Sequence, residues 1–338
     1  MTGARPLRVA VLTCGAIVSR GHLPAFRAAG ADLVDVVAFT SRSRSSAESA
    51  AEQWGGGAVV DDWRDVIARD DVDAVDICAP NSLHAEMAIA AARAGKHILV
   101  EKPMATTLAD ADAMIDAARQ AGVVLMTAHN VRGAAPYLAA AQVVHDRRIG
   151  DVVGLRAAFG HAGPQAWAPG ATWFYDREMS GGGALIDLGV HVADLVRAVT
   201  GDEVEEVTAL ARFRETGIDE AAQVAFRTRR GALGTFHASW LARPGPDHQL
   251  SVFGTGGTLT VTRGQARVVP ADGGDPVIVE APPSVNLYAD FARACLGEAP
   301  APRADVDGRE ALAIVLAAYE SAATGCTVSV DHRREPRS

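Results

Sequence analysis

The strongest constraint on the fold is an alternation that fills the first 128 residues. Short apolar runs at Leu7 to Leu12, Val34 to Phe39, Ala58 to Val60, Ala74 to Cys78, Ile98 to Val100 and Val123 to Met126 are separated by stretches of helical character. The clearest of these stretches run from Ser45 to Trp54, Asp62 to Ala68, Ser82 to Ala94 and Leu108 to Ala121. Runs so short and so continuously apolar suit strands buried on both faces, and helices between them force right-handed parallel crossovers. The pattern predicts an α/β domain over residues 1 to 128, a doubly wound parallel sheet of the Rossmann type.

A chain of 338 residues is long for one core, so a second domain is expected. From Gly150 the texture changes to long alternating stretches such as VVGLRAAFGHA, VEEVTALARF, AQVAFRT and ALGTFHASWL, joined by turns such as RRGAL and GTGGT. Alternation of this kind predicts an α+β domain over 129 to 330 with a large open, mostly antiparallel sheet. Its uncovered face is a natural association surface, so a homodimer or homotetramer through this sheet is expected. Val285 to Leu296 and Gly308 to Thr324 read as helices, and residues 331 to 338, DHRREPRS, as a disordered charged tail.

Net charge and motif content narrow the chemistry. A charge of -9 without a long basic run argues against nucleic acid or an anionic membrane as partner and favours a small molecule. No apolar run approaches the ~20 residues that cross a bilayer, and MTGARPLRVAVL enters a strand directly, so a cytoplasmic location is expected. Cys14, Cys78, Cys295 and Cys326 have no metal-ligand spacing, and the ten histidines form no HxH or HExxH, so no metal is expected.

In open parallel sheets ligands bind outside the carboxyl ends of the strands, and those ends are where polar residues stand out here. After the first strand, Cys14, Gly15, Ala16 and Ile17 could cradle a pyrophosphate with backbone N–H groups at a helix N-terminus, although a full GxGxxG would place Gly at Thr13 and Gly or Ala at Val18. After the second, Ser41 and Arg42, with Arg44, suit the 2'-phosphate of NADP; an NAD site usually carries an acid there, and Asp35 lies at the wrong end of the strand. A solvated turn is the alternative. Ala79, Pro80, Asn81 and His84 follow the fourth strand, either beside a cofactor or as a strand stop with a solvent histidine. The stretch AGKHILVEKPMA ends the fifth strand in Glu101 and Lys102, and that lysine is either a surface residue turned outward by Pro103 or a group projecting into the crevice. Asn130 and Arg132 leave the sixth strand, to touch cofactor or substrate or to brace the domain junction.

In the second half, Leu185, Leu188, Val192, Leu195 and Val199 form the apolar stripe of one helix, with Asp187, His191 and Asp194 at i, i+4 and i+7 on another face. Carboxylates so placed can touch or flank the imidazole, or form a solvated face. Gly181 to Gly183 would let a ligand approach the helix start, and Gly189 costs about 1 kcal/mol against Ala inside it. Trp167, Trp173, Tyr175, Asp176 and Arg177 combine apolar ring faces with polar edges, as a polyol requires, while Arg132, Arg156 and Arg177 could meet an anion.

AGKHILVEKPMA resembles the signature of the Gfo/Idh/MocA family of nicotinamide-dependent sugar and cyclitol oxidoreductases, and CGAI followed by HLPA is similar to its first turn. The resemblance runs from Gly15 to Tyr319. It implies that Lys102 works in the active site with Asp187 and His191, that Pro80, Asn81 and His84 face the cofactor, and that residues 308 to 324 form a closing helix at the domain junction. The expected activity is hydride transfer between nicotinamide and a carbinol or ketone carbon of a sugar or cyclitol, with NADP preferred and NAD second. In that scheme His191 moves the hydroxyl proton, Lys102 bonds the same oxygen and Asp187 orients the imidazole. A non-catalytic dinucleotide-binding regulator, or a glycosidase with bound NAD, is the alternative.

Overall fold

The computed structural model describes residues 5–242, 248–262, 264–300 and 304–333. They divide into two compact units, one holding the chain up to Ala128 together with Asn286–Arg309, the other His129–Val285 and the chain from Glu310 onward. The excursion of 286–309 into the first unit departs from an unbroken second domain over 129 to 330, and the division falls inside the long helix Ala304–Thr324, which starts four residues earlier than expected.

In the first unit six strands, β1 (Leu7–Leu12), β2 (Val34–Thr40), β3 (Ala58–Val60), β4 (Ala74–Ile77), β5 (His97–Val100) and β6 (Leu125–Thr127), pair in the order β3-β2-β1-β4-β5-β6, every pair parallel. The crossovers carry α1 (Leu23–Ala29), α2 (Arg44–Trp54), α3 (Trp63–Ile67), α4 (His84–Arg93) and α5 (Leu108–Ala121). Local chemistry sets the helix ends. Asp62 accepts the N–H of Arg64 to cap α3, and Thr107 accepts that of Asp110 to cap α5, each capping bond contributing ~1 kcal/mol. Gly122 ends α5 at φ 67°, a left-handed backbone that glycine adopts without strain. Val9, Val11, Val36, Phe39 and Phe26 pack into one core cluster with Tyr288 and Phe291 of a later helix, Leu287–Cys295.

The second unit is built on nine strands: β7 (Val152–Gly160), β8 (Val204–Phe213), β9 (Asp219–Thr228), β10 (Leu233–Ser239), β11 (Gln249–Gly254), β12 (Gly257–Val261), β13 (Ala266–Pro270), β14 (Val277–Val279) and β15 (Val328–Ser329). Their order is β14-β13-β12-β11-β7-β10-β9-β8-β15, and among the described residues only the β7/β10 pair is parallel. The helices are α6 (Ala135–His145), the short α7 (Arg177–Ser180) and α8 (Val190–Thr200); in chain order the later two are α9 (Leu287–Cys295) and α10 (Ala304–Thr324). Leu155, Ala157, Phe159, Phe236 and Ala238 are buried on one face of the sheet. On the other, Leu210, Leu233 and Phe253 are exposed.

Two expectations change. The helix expected to run evenly through 185–199 opens as a π-helical turn, Leu185–Gly189, before α8, so its first turn is wider than 3.6 residues. The apolar stripe itself is buried at all five positions. The tail 331 to 338, expected to be disordered, is only partly within the described residues; there His332 contacts Glu310 Oε2 through Nδ1 at 2.5 Å and Val204 O through Nε2 at 2.8 Å, and Arg333 N–H bonds Glu310 Oε1. Residues 334 to 338 lie outside the described part.

Candidate active site

In the first unit the strand order reverses beside β1, which has β2 on one side and β4 on the other. The chain leaves β1 through Thr13 at φ 72° and is helical from Ala16. Thr13 therefore keeps the backbone turn that the glycine of a GxGxxG fingerprint usually makes, with a β-branched side chain in a region L residues rarely enter. A Cβ placed on Gly15 would meet nothing within 4 Å, so the backbone there is open to close approach by a phosphate. Cys14 is buried against Thr40 O, its thiol pushed up to about 12 by burial, and leaves only its backbone for a ligand.

Thr40 ends β2, and Ser41 is half-buried and Arg42 exposed just beyond it. Arg44 bonds Asp61 and Glu48. Asp35 is exposed at the start of the strand. Ala79 and Asn81 are buried after β4, with Pro80 half-buried between them. His84 is wholly enclosed, its Nε2 at 2.8 Å from Ala79 O and its Nδ1 at 3.0 Å from Pro103 O; burial pushes its pKa down. The ring braces the turn after β4 against the turn after β5 and does not stand in solvent. Glu101 is buried and Lys102 half-buried at the end of β5.

In the second unit, Asp187 Oδ2 receives the indole N–H of Trp240 at 2.9 Å and lies 3.2 Å from His161 Nε2. His161 Nδ1 accepts the Gly163 N–H, which puts the ring proton on Nε2 and aims it at the carboxylate. Trp240 also packs edge-on to Phe174 and Tyr175, and Phe174 stacks on Trp173 at 3.8 Å and meets Trp167 at 5.4 Å. One tryptophan thus joins an aromatic cluster to the carboxylate. His191 is half-buried on α8, its ring 6.5 Å from that of His129. Asp194 forms a bidentate pair with Arg132, engaging the guanidinium read as a substrate contact, while Asn130 is exposed on the same short turn. Arg177 bonds Gly217 O, and Arg156 lies in the groove on the sheet with Gln223, Thr235 and His237.

Gly182 and Gly183 before this helix serve packing, correcting their reading as a ligand approach. A Cβ on Gly182 would lie 2.1 Å from Tyr319 Oη, and one on Gly183 1.9 Å from Asp219 O. Asp219 accepts the N–H groups of Gly183 and Leu185, both at 2.7 Å, and the Tyr319 hydroxyl at 2.6 Å. Gly189 sits where a Cβ would lie 2.8 Å from Leu185 Cδ1 and 3.3 Å from the Phe236 ring, so the helix packs closely there. His161, Trp240, Asp219 and Tyr319 were missed in the sequence. The aromatic and acid types offered a weak signal, but each acts on residues 26 or more positions away.

A sheet in this order with an open glycine after β1 is the arrangement that dinucleotide-binding proteins use. The sequence agrees: residues 7–129 match the model for the oxidoreductase family with an NAD-binding Rossmann fold, and 137–260 the GFO/IDH/MocA C-terminal domain. The chain is 33% identical over 323 residues to 1,5-anhydro-D-fructose reductase of Ensifer adhaerens, spanning 91% of this chain and 93% of that one. Among solved structures it is similar to levoglucosan dehydrogenase in complex with NADH and levoglucosan (TM-score 0.86, 27% identity, 96% of this chain and 100% of that one) and to aldose-aldose oxidoreductase from Caulobacter crescentus complexed with glycerol (TM-score 0.84, 26% identity, 96% and 100%). The chain belongs to the Gfo/Idh/MocA family. It is an oxidoreductase that works with a nicotinamide dinucleotide. Among the described residues no helix is long and apolar enough to cross a membrane.

Proposed function

We propose that the enzyme interconverts a secondary alcohol and a ketone on a neutral sugar or cyclitol, with Lys102, Asp187 and His191 as its proton-handling residues. The observation that carries this reading is the link through Trp240, which binds the Asp187 carboxylate with its indole N–H and the aromatic cluster 167–175 with its ring. Aromatic faces beside a fixed carboxylate suit the apolar faces and polar edges of a polyol. Arg132 and Arg177 are held by Asp194 and Gly217 O, which favours an uncharged substrate over a sugar phosphate. Anhydrofructose and levoglucosan, named for two relatives, are uncharged as well.

Nicotinamide, when bound, supplies the carbon that accepts or gives the hydride. The chain's own residues manage the proton. An imidazole changes charge near neutrality, so His191 takes the hydroxyl proton as the alcohol is oxidised and returns it to the ketone in reverse. The Lys102 ammonium donates to the same oxygen as negative charge gathers on it. Asp187, held by two N–H donors, orients the imidazole. For the cofactor, Ser41 and exposed Arg42 after β2, where an acid would favour NAD, support a preference for NADP, although relatives are known with NADH. Exposed Leu210, Leu233 and Phe253 support a homo-oligomer formed through the open sheet; light scattering that returned a monomer would remove that part.

The test is Lys102→Ala and His191→Ala, assayed with a panel of sugars and inositols by absorbance of the reduced nicotinamide. Both should bind cofactor and lose at least ~100-fold in turnover. Near wild-type rates in both would refute the scheme.

A further inference from the structure

A buried cluster of ionisable groups in the first unit has no part in the scheme above. His22 closes the π-helical turn Val18–His22 and is wholly enclosed. Its Nδ1 lies 2.8 and 3.0 Å from the two oxygens of Asp76, and its Nε2 lies 2.7 Å from Glu101 Oε1. Cys78 Sγ stands 3.4 Å from Nδ1, and Tyr288 of α9 meets the ring edge-on at 5.0 Å. Asp76 sits on β4 between β1 and β5, where a carboxylate without a charged partner would be strongly destabilising.

Both ring nitrogens face carboxylate oxygens, which only accept, whereas a neutral imidazole has one N–H to donate. With both carboxylates ionised, this geometry favours an imidazolium shared between them. Burial alone would push His22 down, but Asp76 holds it well above the ordinary imidazole range. Burial would likewise raise Glu101, and the bond from His22 holds that carboxyl below its ordinary range.

Glu101 has a second oxygen, and Oε2 accepts the backbone N–H of Lys102 at 2.9 Å. The bonds run without a break from His22 through the Glu101 carboxylate to the backbone of the lysine. We infer that His22 is a positioning residue for the redox reaction: by clamping Glu101 inward it fixes the Lys102 backbone, and so where the ammonium is delivered. This rests on Lys102 being a proton-handling residue. A cluster needed for stability alone has a simpler solution, since apolar residues of like volume replace a buried ion pair at little or no cost. Here the charges converge on one N–H at the end of β5.

The experiment is a double-mutant cycle on the full chain, measuring kcat and the cofactor dissociation constant for wild type, His22→Gln, Lys102→Ala and the double variant. Misplacing a reacting group by about 1 Å costs up to ~100-fold, so His22→Gln should lower kcat by roughly tenfold or more while changing cofactor affinity by less than about twofold. In the Lys102→Ala background the same change should cost less than about twofold, because the residue it positions is gone. Equal losses in both backgrounds would overturn the inference. If Lys102→Ala itself turns over near the wild-type rate, the reading of Lys102 fails, a separate result. Should His22→Gln not fold, Glu101→Gln and Glu101→Ala replace it. Gln can keep its oxygen on the Lys102 N–H while its amide N–H donates to Nε2 of a neutral His22, and should retain turnover to within about threefold, whereas Ala should lose roughly tenfold or more. Equal losses for these two also overturn the inference.

Discussion

Tyr319→Phe tests whether the helix that carries Asp187 and His191 is anchored as the structure indicates. The substitution keeps the ring and removes one oxygen. That oxygen donates to Asp219 Oδ1 at 2.6 Å and accepts the N–H groups of Gly183 at 3.1 Å and Ile186 at 3.2 Å. A hydrogen bond to a charged acceptor contributes about 1.5–3 kcal/mol, and a buried N–H left without its acceptor costs about 1–3 kcal/mol. Gly183 retains Asp219 Oδ1 at 2.7 Å, so the Ile186 N–H bears most of the second loss. Bonds sharing one network are not additive, and a total of about 2–4 kcal/mol is expected. For a unit of this size each kcal/mol moves the midpoint by about 2–4 °C, so thermal unfolding followed by circular dichroism should show a fall of roughly 5–15 °C. Asp219→Asn should cost at least as much, since its amide would set an N–H against the Gly183 or Leu185 N–H. A loss below about 1 kcal/mol for Tyr319→Phe would show that the helix start is held by something else.

Three further outcomes are expected. Trp240→Phe keeps most of the ring contacts but removes the donor to Asp187, and should lower kcat roughly tenfold with unchanged cofactor affinity; an unchanged kcat would detach Trp240 from the chemistry. Arg42→Ala should reduce the preference for NADP over NAD in kcat/KM by about tenfold, the worth of one phosphate contact of ~1.4 kcal/mol, and unchanged discrimination would end the assignment. The His332 imidazole is raised above its ordinary range by its bond to Glu310, so its stabilisation is complete below that range and is lost as pH rises through the raised value. The gap in unfolding free energy between wild type and His332→Gln should therefore be widest near about pH 6 and narrow towards about pH 9; a gap that widens with pH would contradict the pairing.

Much of this architecture is legible residue by residue. The strand-helix alternation and the apolar stripe 185–199 depend on neighbours within a few positions, where periodicity acts. For the same reason β1, β3 and α5 have the bounds expected of them. The motif around Lys102 and the turn near Gly15 sufficed to place the chain in its family.

The partners of the polar side chains had to wait for the tertiary structure. Spacing along the helix groups Asp187 and Asp194 with His191, but it does not show that Asp187 also takes the Trp240 indole N–H or that Asp194 pairs with Arg132, 53 and 62 residues away. Gly182 and Gly183, which read as room for a ligand, are backed by Tyr319 and Asp219, and His22, noted only as the start of HLPA, closes a charge cluster with Asp76 and Glu101. A hydrogen bond is decided within about 3 Å of space, and which groups share that space follows from how strands and helices distant along the chain pack together.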